Sequence, residues 1–395
     1  MAHENWWSKT SIIMLFILAW LIWNFWAANW TPPWDVYGNI DFFVFYTAGK
    51  AWLANMNPYP QIPVYGRPEF FYPPTSLLLF GLYAMFSFDA AKDLWFVTYM
   101  SVFAVAAIAC TFMLRGERKR WYVLLALLLI FASYPLQNQM LTGQSDLLMA
   151  SLTVLSLVCQ RSKHDNVSAF LLASATLLKG PAILLLIYFV LYRHDIKYLL
   201  RFLLSTALIV GASLTVIPIQ LYSYYLTNVA PNLLISAGEF HQSAVSYLAQ
   251  AGVNYLSPIV SVAGVILFAL FAFYVNSKKS SELDSDSFRD DTMFLMNILV
   301  YLLLGPQTSP YSYVWVILPL ALVLSNLITQ ENVRFAYLAL MGFETFLLSS
   351  NIYANFNLVV VGQIPYPVNV AGSLMMIVSL IPIFIRFSSI TRSVK

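Results

Sequence analysis

The sequence has very little charge: Asp, Glu, Lys and Arg make up 10% of the 395 residues, whereas apolar residues make up 60%. A soluble globular domain needs a more polar surface, so this balance excludes that class and indicates a polytopic membrane protein. Long polar segments are also lacking, so a single transmembrane domain over residues 1–395 is expected. Cysteine is scarce: Cys110 and Cys159 both lie in apolar runs and are interpreted as small core residues, not as a disulfide or metal pair.

The amino terminus lacks the small-residue cleavage site of a signal peptide. "MAHENWWSK" precedes an apolar run of about 19 residues, which is long enough to cross a bilayer. We therefore expect this run to be an anchor that stays in the protein.

Hydrophobic runs predict an all-α membrane protein with about twelve transmembrane helices. The spans are placed at about 11–29, 92–114, 121–134, 146–159, 167–178, 181–193, 198–219, 256–275, 292–304, 312–328, 334–349 and 368–386. This topology puts both termini and most of the 21 basic residues on the cytoplasmic side, as the positive-inside rule requires. The segment 75–88 is too short to cross and is predicted to lie on, or partly enter, the outer leaflet. The first outer loop then covers about 30–91.

Three predicted spans, 167–178, 181–193 and 292–304, are unusually short. A helix of about 13 residues rises only about 20 Å, less than the ~30 Å hydrocarbon layer, so we expect these helices to border a cavity open to the outer side. On the inner side, the Ser- and acid-rich segment 276–291 predicts a solvated connector.

Asp41 stands at the head of a helix-length stretch in the first outer loop, and Pro58 blocks continuation of that helix. One interpretation is a helix N-cap, whose carboxylate accepts the first free amide protons. A compatible interpretation is functional. A carboxylate at a helix N-terminus is expected to have a low pKa and to stay ionised, so it can accept a proton from a substrate hydroxyl.

Motifs in the first half of the chain resemble one known family. They are Asp-x-x-Val-x-Tyr-x-Ala from Asp41 to Ala48, Pro58-Tyr59, the block Phe70-Phe71-Tyr72-Pro73-Pro74, "LTGQSD" with Gly143, Gln144 and Asp146, and "LLKGP" with Lys179 and Pro181. In order and spacing they are similar to the polyprenyl-phosphate-mannose-dependent α-mannosyltransferases, the family that includes the enzymes elaborating phosphatidylinositol mannosides.

This resemblance implies a GT-C-like fold whose large first extracytoplasmic loop contains membrane-parallel helices. It also implies that the chain moves a sugar, mannose or another hexose, from a polyprenyl-phosphate donor to a lipid or glycan acceptor. The reaction would invert the anomeric centre, with Asp41 as general base, on the extracytoplasmic side of a bacterial inner membrane. Besides these substrates and membrane lipids we expect no cofactor and no nucleic acid. No metal is required either, although Asp41 and Glu69 could bind one.

Lys179 is the leading candidate for the donor phosphate, whose negative charge grows as the glycosidic bond breaks. A lysine within a membrane is usually paired, however, and Asp146 or Glu239 could be its partner. Arg67 and Lys50 are rival phosphate partners that could instead be interfacial residues.

Candidate substrate-binding residues are spread over several outer segments. They are Tyr46, Tyr72, Gln144, Asp146, Glu239, His241, Gln242 and Tyr311. Asp146 stands where an asparagine is more usual in the family, and Tyr311 follows a Ser-Pro after which many relatives have histidine. His241 could also be an ordinary surface residue, and Glu344 is interpreted as a buried hydrogen-bonding residue.

The competing interpretation is a secondary transporter or lipid flippase. Such proteins show internal repeats and carboxylates near the middle of the membrane. Here no repeat is evident, and the acidic residues cluster in the predicted outer loops, which favours an enzyme.

Overall fold

The computed structural model describes residues 40–59, 70–233, 243–248, 252–277, 286–306, 308–329, 340–342, 344–345, 348 and 373–381. Across these residues the regular secondary structure is entirely helical, which confirms the all-α prediction.

Four of the described helical segments are long and apolar enough to cross a membrane: Phe88–Phe112, Ile196–Ser213, Ser257–Val275 and Pro310–Thr329. A fifth is added if the bent pair Gly116–Ile130 and Tyr134–Thr142 counts as one span. The protein is therefore a membrane protein that is helical in its described residues, as composition indicated. The count of about twelve spans and the side on which the termini lie stay predictions, and the first span, 11–29, lies outside the described residues.

The chain divides into two compact units. The first, here called the Asp41 unit, consists of the described residues in Trp34–Met113 and Asn138–Gly238. Its α-helices are α1 (Ile40–Leu53), α2 (Ser76–Ala84), α3 (Phe88–Phe112), α6 (Asp146–Arg161), α7 (Asp165–Leu178), α8 (Ile196–Ser213), α9 (Ile219–Tyr224) and α10 (Ala230–Leu233). It also contains a 3-10 helix, Gly180–Leu185, and two π-helical turns, Ile187–Tyr192 and Tyr225–Val229.

The second, the Asp291 unit, consists of the described residues in Leu114–Gln137 and Glu239–Lys395. Its helices are α4 (Gly116–Ala132), α11 (Ala244–Leu248), α12 (Ser257–Ser277), α13 (Asp286–Leu304), α14 (Ile317–Thr329) and the 3-10 helices Asn254–Leu256 and Pro310–Val316. Helix α5 (Tyr134–Thr142) spans the point in the sequence where the two units divide.

Two glycines let α1 and α2 pack closely in the Asp41 unit. A Cβ atom on Gly49 would lie 2.6 Å from the Phe80 carbonyl oxygen, and one on Gly81 would lie 2.4 Å from the Trp52 ring. Atoms at those separations would clash, so only glycine permits this approach. The close packing fixes α1, which carries Asp41 in its first turn.

The predicted span 181–193 is not a regular α-helix. Lys179 is extended, with φ −149° and ψ 104°, and it ends α7. Gly180 then begins a 3-10 helix with Pro181 in its first turn, and the π-helical segment Ile187–Tyr192 follows. Proline lacks an amide proton and restricts the residue before it, so the break falls where Lys179-Gly180-Pro181 stands.

The prediction of a solvated connector over 276–291 is wrong for its last residues, and so is the predicted shortness of the span 292–304. Helix α13 begins at Asp286 and has 19 residues. Asp291 is 1% exposed, forms an ion pair with Arg118 and accepts a hydrogen bond from Asn326 Nδ2 at 3.2 Å. Arg118 also donates to Ser287 Oγ at 3.2 Å. Partners distant in sequence therefore turn an apparently polar linker into a buried helical turn.

Glu344 is fully buried and accepts a hydrogen bond from Ser379 Oγ at 2.6 Å. This confirms its interpretation as a buried hydrogen-bonding residue. Cys110 and Cys159 are both free thiols.

Candidate active site

Asp41 lies inside the first turn of α1, because the helix begins at Ile40. The N-cap is by definition the residue before the first helical residue, so the capping interpretation of Asp41 is wrong. The carboxylate still benefits from its place, since free amide groups at a helix N-terminus favour negative charge. Asp41 is partly exposed, and it can therefore be reached from outside the unit.

Lys179 and Asp146 form an ion pair. The Asp146 side chain is fully buried, whereas the Lys179 side chain is 18% exposed. Asp146 is the first residue of α6, and Lys179 follows the last residue of α7. Each charge thus has the sign that its helix end favours. The pairing confirms one alternative weighed for Lys179, and it leaves part of the ammonium group accessible.

Tyr72 and Gln144 extend this cluster through hydrogen bonds. The Tyr72 hydroxyl donates to Gln144 Oε1 at 2.7 Å and accepts from Ser145 Oγ at 3.1 Å. The Ser145 amide also donates to Gln144 Oε1, at 3.0 Å. Because Oε1 already accepts two hydrogen bonds, the Gln144 side chain donates to its remaining partner through its amide nitrogen. Lys179 Nζ lies 5.8 Å from the centre of the Tyr72 ring.

That other partner is Asp41, which the side chains of Gln144 and Thr142 hydrogen-bond. Burial raises the pKa of Asp41 to about 6, although the charge of Lys179 and these hydrogen bonds act in the opposite direction. The charge of Asp146 adds to the increase. The expected low pKa is therefore wrong: removal of the carboxylate from water outweighs the interactions that favour its ionised form.

The arrangement of Asp41, Tyr72 and Lys179 is suited to proton transfer beside a bound anion. At pH 7 a carboxyl group with a pKa near 6 is about nine-tenths ionised, and its basicity is well matched to accepting a proton near neutrality. Burial and the nearby charge of Asp146 raise the pKa of Tyr72 well above its usual value, so the phenol stays protonated as a donor. Lys179 supplies the positive charge. The structure thus brings together five sequence-predicted site residues: Asp41, Tyr72, Gln144, Asp146 and Lys179.

Two predicted residues on the same helix have other surroundings. The Tyr46 hydroxyl donates to the Phe86 carbonyl oxygen at 2.9 Å. Lys50 is exposed in the last turn of α1, where Nζ lies 5.4 Å from the centre of the Tyr46 ring. At 1.5 Å per residue, Lys50 is about 13 Å beyond Asp41 along the helix axis. This separation weakens its case as a phosphate partner at Asp41.

The remaining predicted residues are not part of the described cluster. Tyr311 lies in the 3-10 helix Pro310–Val316 of the Asp291 unit. Several others lie outside the described residues: Arg67, Glu69, Glu239, His241 and Gln242.

Sequence reasoning missed two members of the cluster, Thr142 and Ser145. Both stand in "LTGQSD", on either side of Gly143 and Gln144. Gly143 adopts φ 68°, a conformation that glycine reaches without strain. The available sequence signal was a glycine turn between two helices, α5 and α6, which brings the side chains on either side of it close together.

The sequence profile of Glycosyltransferase family 87 matches residues 70–285, more than half of the chain, so the protein belongs to this family of glycosyltransferases. The match includes Tyr72, Gln144, Asp146 and Lys179, and it begins after Asp41. Searches of curated proteins and of solved structures gave no match. Together with the apolar helices, the family defines a membrane glycosyltransferase and argues against the transporter alternative.

Proposed function

We propose that the protein transfers a sugar from a polyprenyl-phosphate donor to a lipid or glycan acceptor, with Asp41 as general base. Mannose or another hexose is the sugar, and the extracytoplasmic side of a bacterial inner membrane is the place of reaction. The observation that supports this most is the cluster itself, in which Asp41, a partly exposed residue whose carboxyl group has a pKa near 6, lies within electrostatic reach of a partly exposed lysine.

In the proposed reaction Asp41 accepts the proton of the acceptor hydroxyl as the acceptor oxygen attacks the anomeric carbon. The bond between that carbon and the phosphate oxygen breaks, and its electron pair leaves with the phosphate. Attack opposite the leaving group inverts the anomeric centre, so a β-linked donor gives an α-linked product. A base within hydrogen-bond reach of the hydroxyl contributes about 10²- to 10⁴-fold to such a step.

Lys179 is the proposed partner of the departing phosphate. The donor is a phosphate diester, and the product phosphate carries an additional negative charge that a nearby cation stabilises. The ion pair with buried Asp146 holds the lysine side chain, while its partial exposure leaves room for a second anion. In this scheme Asp146 positions Lys179 and does not contact sugar.

Tyr72 and Gln144 are proposed to bind the reacting sugar or the acceptor hydroxyl. Tyr72 is a partly exposed residue with a buried hydroxyl group, and Gln144 connects that hydroxyl with Asp41. Arg67, Glu239, His241, Gln242 and Tyr311 are retained as further substrate-binding residues on the strength of the sequence, and Lys50 as a weaker phosphate candidate.

The test is incubation of the purified protein with polyprenyl-phosphate mannose and polyprenyl-phosphate glucose, each with candidate lipid and glycan acceptors. We expect the wild type to consume one donor and form a lipid- or glycan-linked product, and Asp41→Asn to form none above background. Equal rates for wild type and Asp41→Asn would remove Asp41 as the base.

A transport assay separates the proposal from the alternative. Proteoliposomes that carry a fluorescent lipid-phosphate sugar report movement across the bilayer without chemistry. Movement by wild-type protein with no product formed from any donor would contradict glycosyl transfer.

A further inference from the structure

Trp95 connects the Asp41 helix with the turn that hydrogen-bonds the Asp41 carboxyl group. It lies in α3, is fully buried, and its indole N–H donates to the Gly143 carbonyl oxygen at 2.8 Å. Its ring stacks on Phe42, with centroids 5.9 Å apart and planes 14° apart, and meets Phe45 edge to face at 6.4 Å. Phe42 is the residue next to Asp41.

The turn at Gly143 is held from two sides. Trp95 binds the carbonyl of Gly143, and the side-chain amide of buried Gln139 donates to the carbonyl of Gln144. The Gly143 amide donates to the Gln139 carbonyl oxygen at 3.0 Å. Backbone groups in this buried turn thus have partners, as burial requires. The two residues that flank Gly143, Thr142 and Gln144, are those that hydrogen-bond Asp41.

We propose that Trp95 is a positioning residue for the reaction: its ring holds the first turn of α1, and its N–H holds the Gly143 turn, so that Asp41 stays hydrogen-bonded by Thr142 and Gln144. This role rests on the proposed function of Asp41. Trp95 touches no substrate itself. A shift of about 1 Å in a catalytic group can lower the rate about 10²-fold. A side chain that contacts both α1 and the Gly143 turn can therefore affect the rate of the reaction.

The alternative is that Trp95 only fills the core, as a buried tryptophan commonly does. A filling role predicts a loss of stability on substitution but no change at the Asp41 carboxyl group. The two roles therefore differ in a measurable property of Asp41. The ionisable groups that act on Asp41 are Lys179, Asp146 and Tyr72, and Trp95→Phe leaves all three in place.

The experiment is an infrared titration of the Asp41 carboxyl band in purified protein, identified by subtraction of the Asp41→Asn spectrum. Trp95→Phe keeps an aromatic ring for Phe42 and removes the indole donor. Loosened hydrogen bonds favour the ionised form less, so we expect the midpoint to rise from about 6 toward about 7. In the transfer assay kcat should fall about tenfold, and KM should rise as well, because Gln144, a proposed substrate-binding residue, flanks the loosened turn.

Tyr99→Phe is the matched control. Tyr99 is buried one turn further along α3, and its ring centroid lies 5.7 Å from that of Trp95. This substitution disturbs the same aromatic cluster without touching the Gly143 turn, and the Asp41 midpoint should stay at its wild-type value.

Gly143→Ala is a second variant that acts on the turn directly, because φ 68° strains a residue with a Cβ atom. It should raise the Asp41 midpoint as Trp95→Phe does. A wild-type midpoint in Trp95→Phe, with or without a loss of thermal stability, overturns the proposal. The titration needs no turnover, so a protein without transfer activity that still shows the upward shift would sink the proposed function alone.

Discussion

Each unit contains one cluster in which a fully buried aspartate forms an ion pair with a partly exposed basic side chain. In the Asp41 unit the pair is Asp146 with Lys179, whose side chain is 18% exposed. In the Asp291 unit it is Asp291 with Arg118, whose side chain is 16% exposed. Burial and pairing are therefore nearly alike in the two clusters. What differs is the third member.

Beside Asp291 the third member is the amide of Asn326, which donates a hydrogen bond and cannot titrate. Beside Asp146 and Lys179 it is Asp41, a second carboxyl group whose pKa burial raises to about 6. An amide completes a structural ion pair, whereas a carboxyl group on a partly exposed residue can exchange a proton with a bound molecule. Among the described contacts, a titratable group beside the ion pair is what distinguishes the candidate reaction site from a structural ion pair.

Asp41→Asn should have the largest effect, a loss of transfer of about 10³-fold, because the base is removed while shape is kept. Asp291→Asn, a matched change in the other cluster, should transfer sugar within about twofold of wild type per folded molecule. Initial rates, normalised to the monodisperse fraction from size-exclusion chromatography, measure both. Similar losses in the two variants would abolish the distinction between the clusters.

Arg118→Met should destabilise the protein by about 3 kcal/mol, because Asp291 is left buried without its cation. Thermal unfolding in detergent measures this. The protein that remains folded should transfer sugar at the wild-type rate. Unchanged stability would show that the Asp291–Arg118 ion pair does not stabilise the fold.

Lys179→Met should slow transfer by about 10²-fold, since the charge on the departing phosphate is no longer matched. Lys179→Arg keeps the charge and should retain part of the rate, although its planar group differs in shape. The double variant Lys179→Met with Asp146→Asn removes both charges. It should be more stable than Lys179→Met alone, which leaves Asp146 buried without its cation, but it should be no more active. Recovery of activity in the double variant would contradict the phosphate role.

The pH dependence of kcat/KM should show an acid limb with a midpoint near pH 6, because protonated Asp41 cannot act as base. The rate should thus be about tenfold below its plateau at pH 5. Asp291→Asn is expected to keep this limb. A limb centred near pH 4 would mean that the Asp41 carboxyl group is less desolvated than the structure indicates.

The smallest expected effect is a gain in stability of about 1 kcal/mol for Asp41→Asn at pH 7.5, discounted for the partial exposure of the side chain. A folded-state pKa of about 6, above the ordinary 3.8, means that ionisation of Asp41 lowers stability as pH rises from about 3.8 to about 6, and that the full cost remains above pH 6. Below pH 3.8 both states are protonated, and the gain should vanish. Melting temperatures of both proteins across this range check the sign, which is opposite to that expected for Arg118→Met.

Much of the helix pattern was predictable, because apolar runs of fixed length leave few alternatives in a membrane. The span predicted at 92–114 is the helix Phe88–Phe112, and the one at 146–159 is Asp146–Arg161. Irregular segments were not predictable in this way. The 3-10 and π turns after Lys179 and the helical start at Asp286 depend on local breaks and on distant partners.

The sequence alone made Asp41 and Lys179 candidates because charged groups are costly in an apolar chain, and the resemblance to the mannosyltransferase family added Tyr72, Gln144 and Asp146. Only the tertiary structure decided that Lys179 pairs with Asp146, and that Thr142 joins Gln144 at Asp41. It alone reversed the expected pKa of Asp41. Desolvation and pairing depend on which side chains surround a group in space, and residues far apart in the chain supply them.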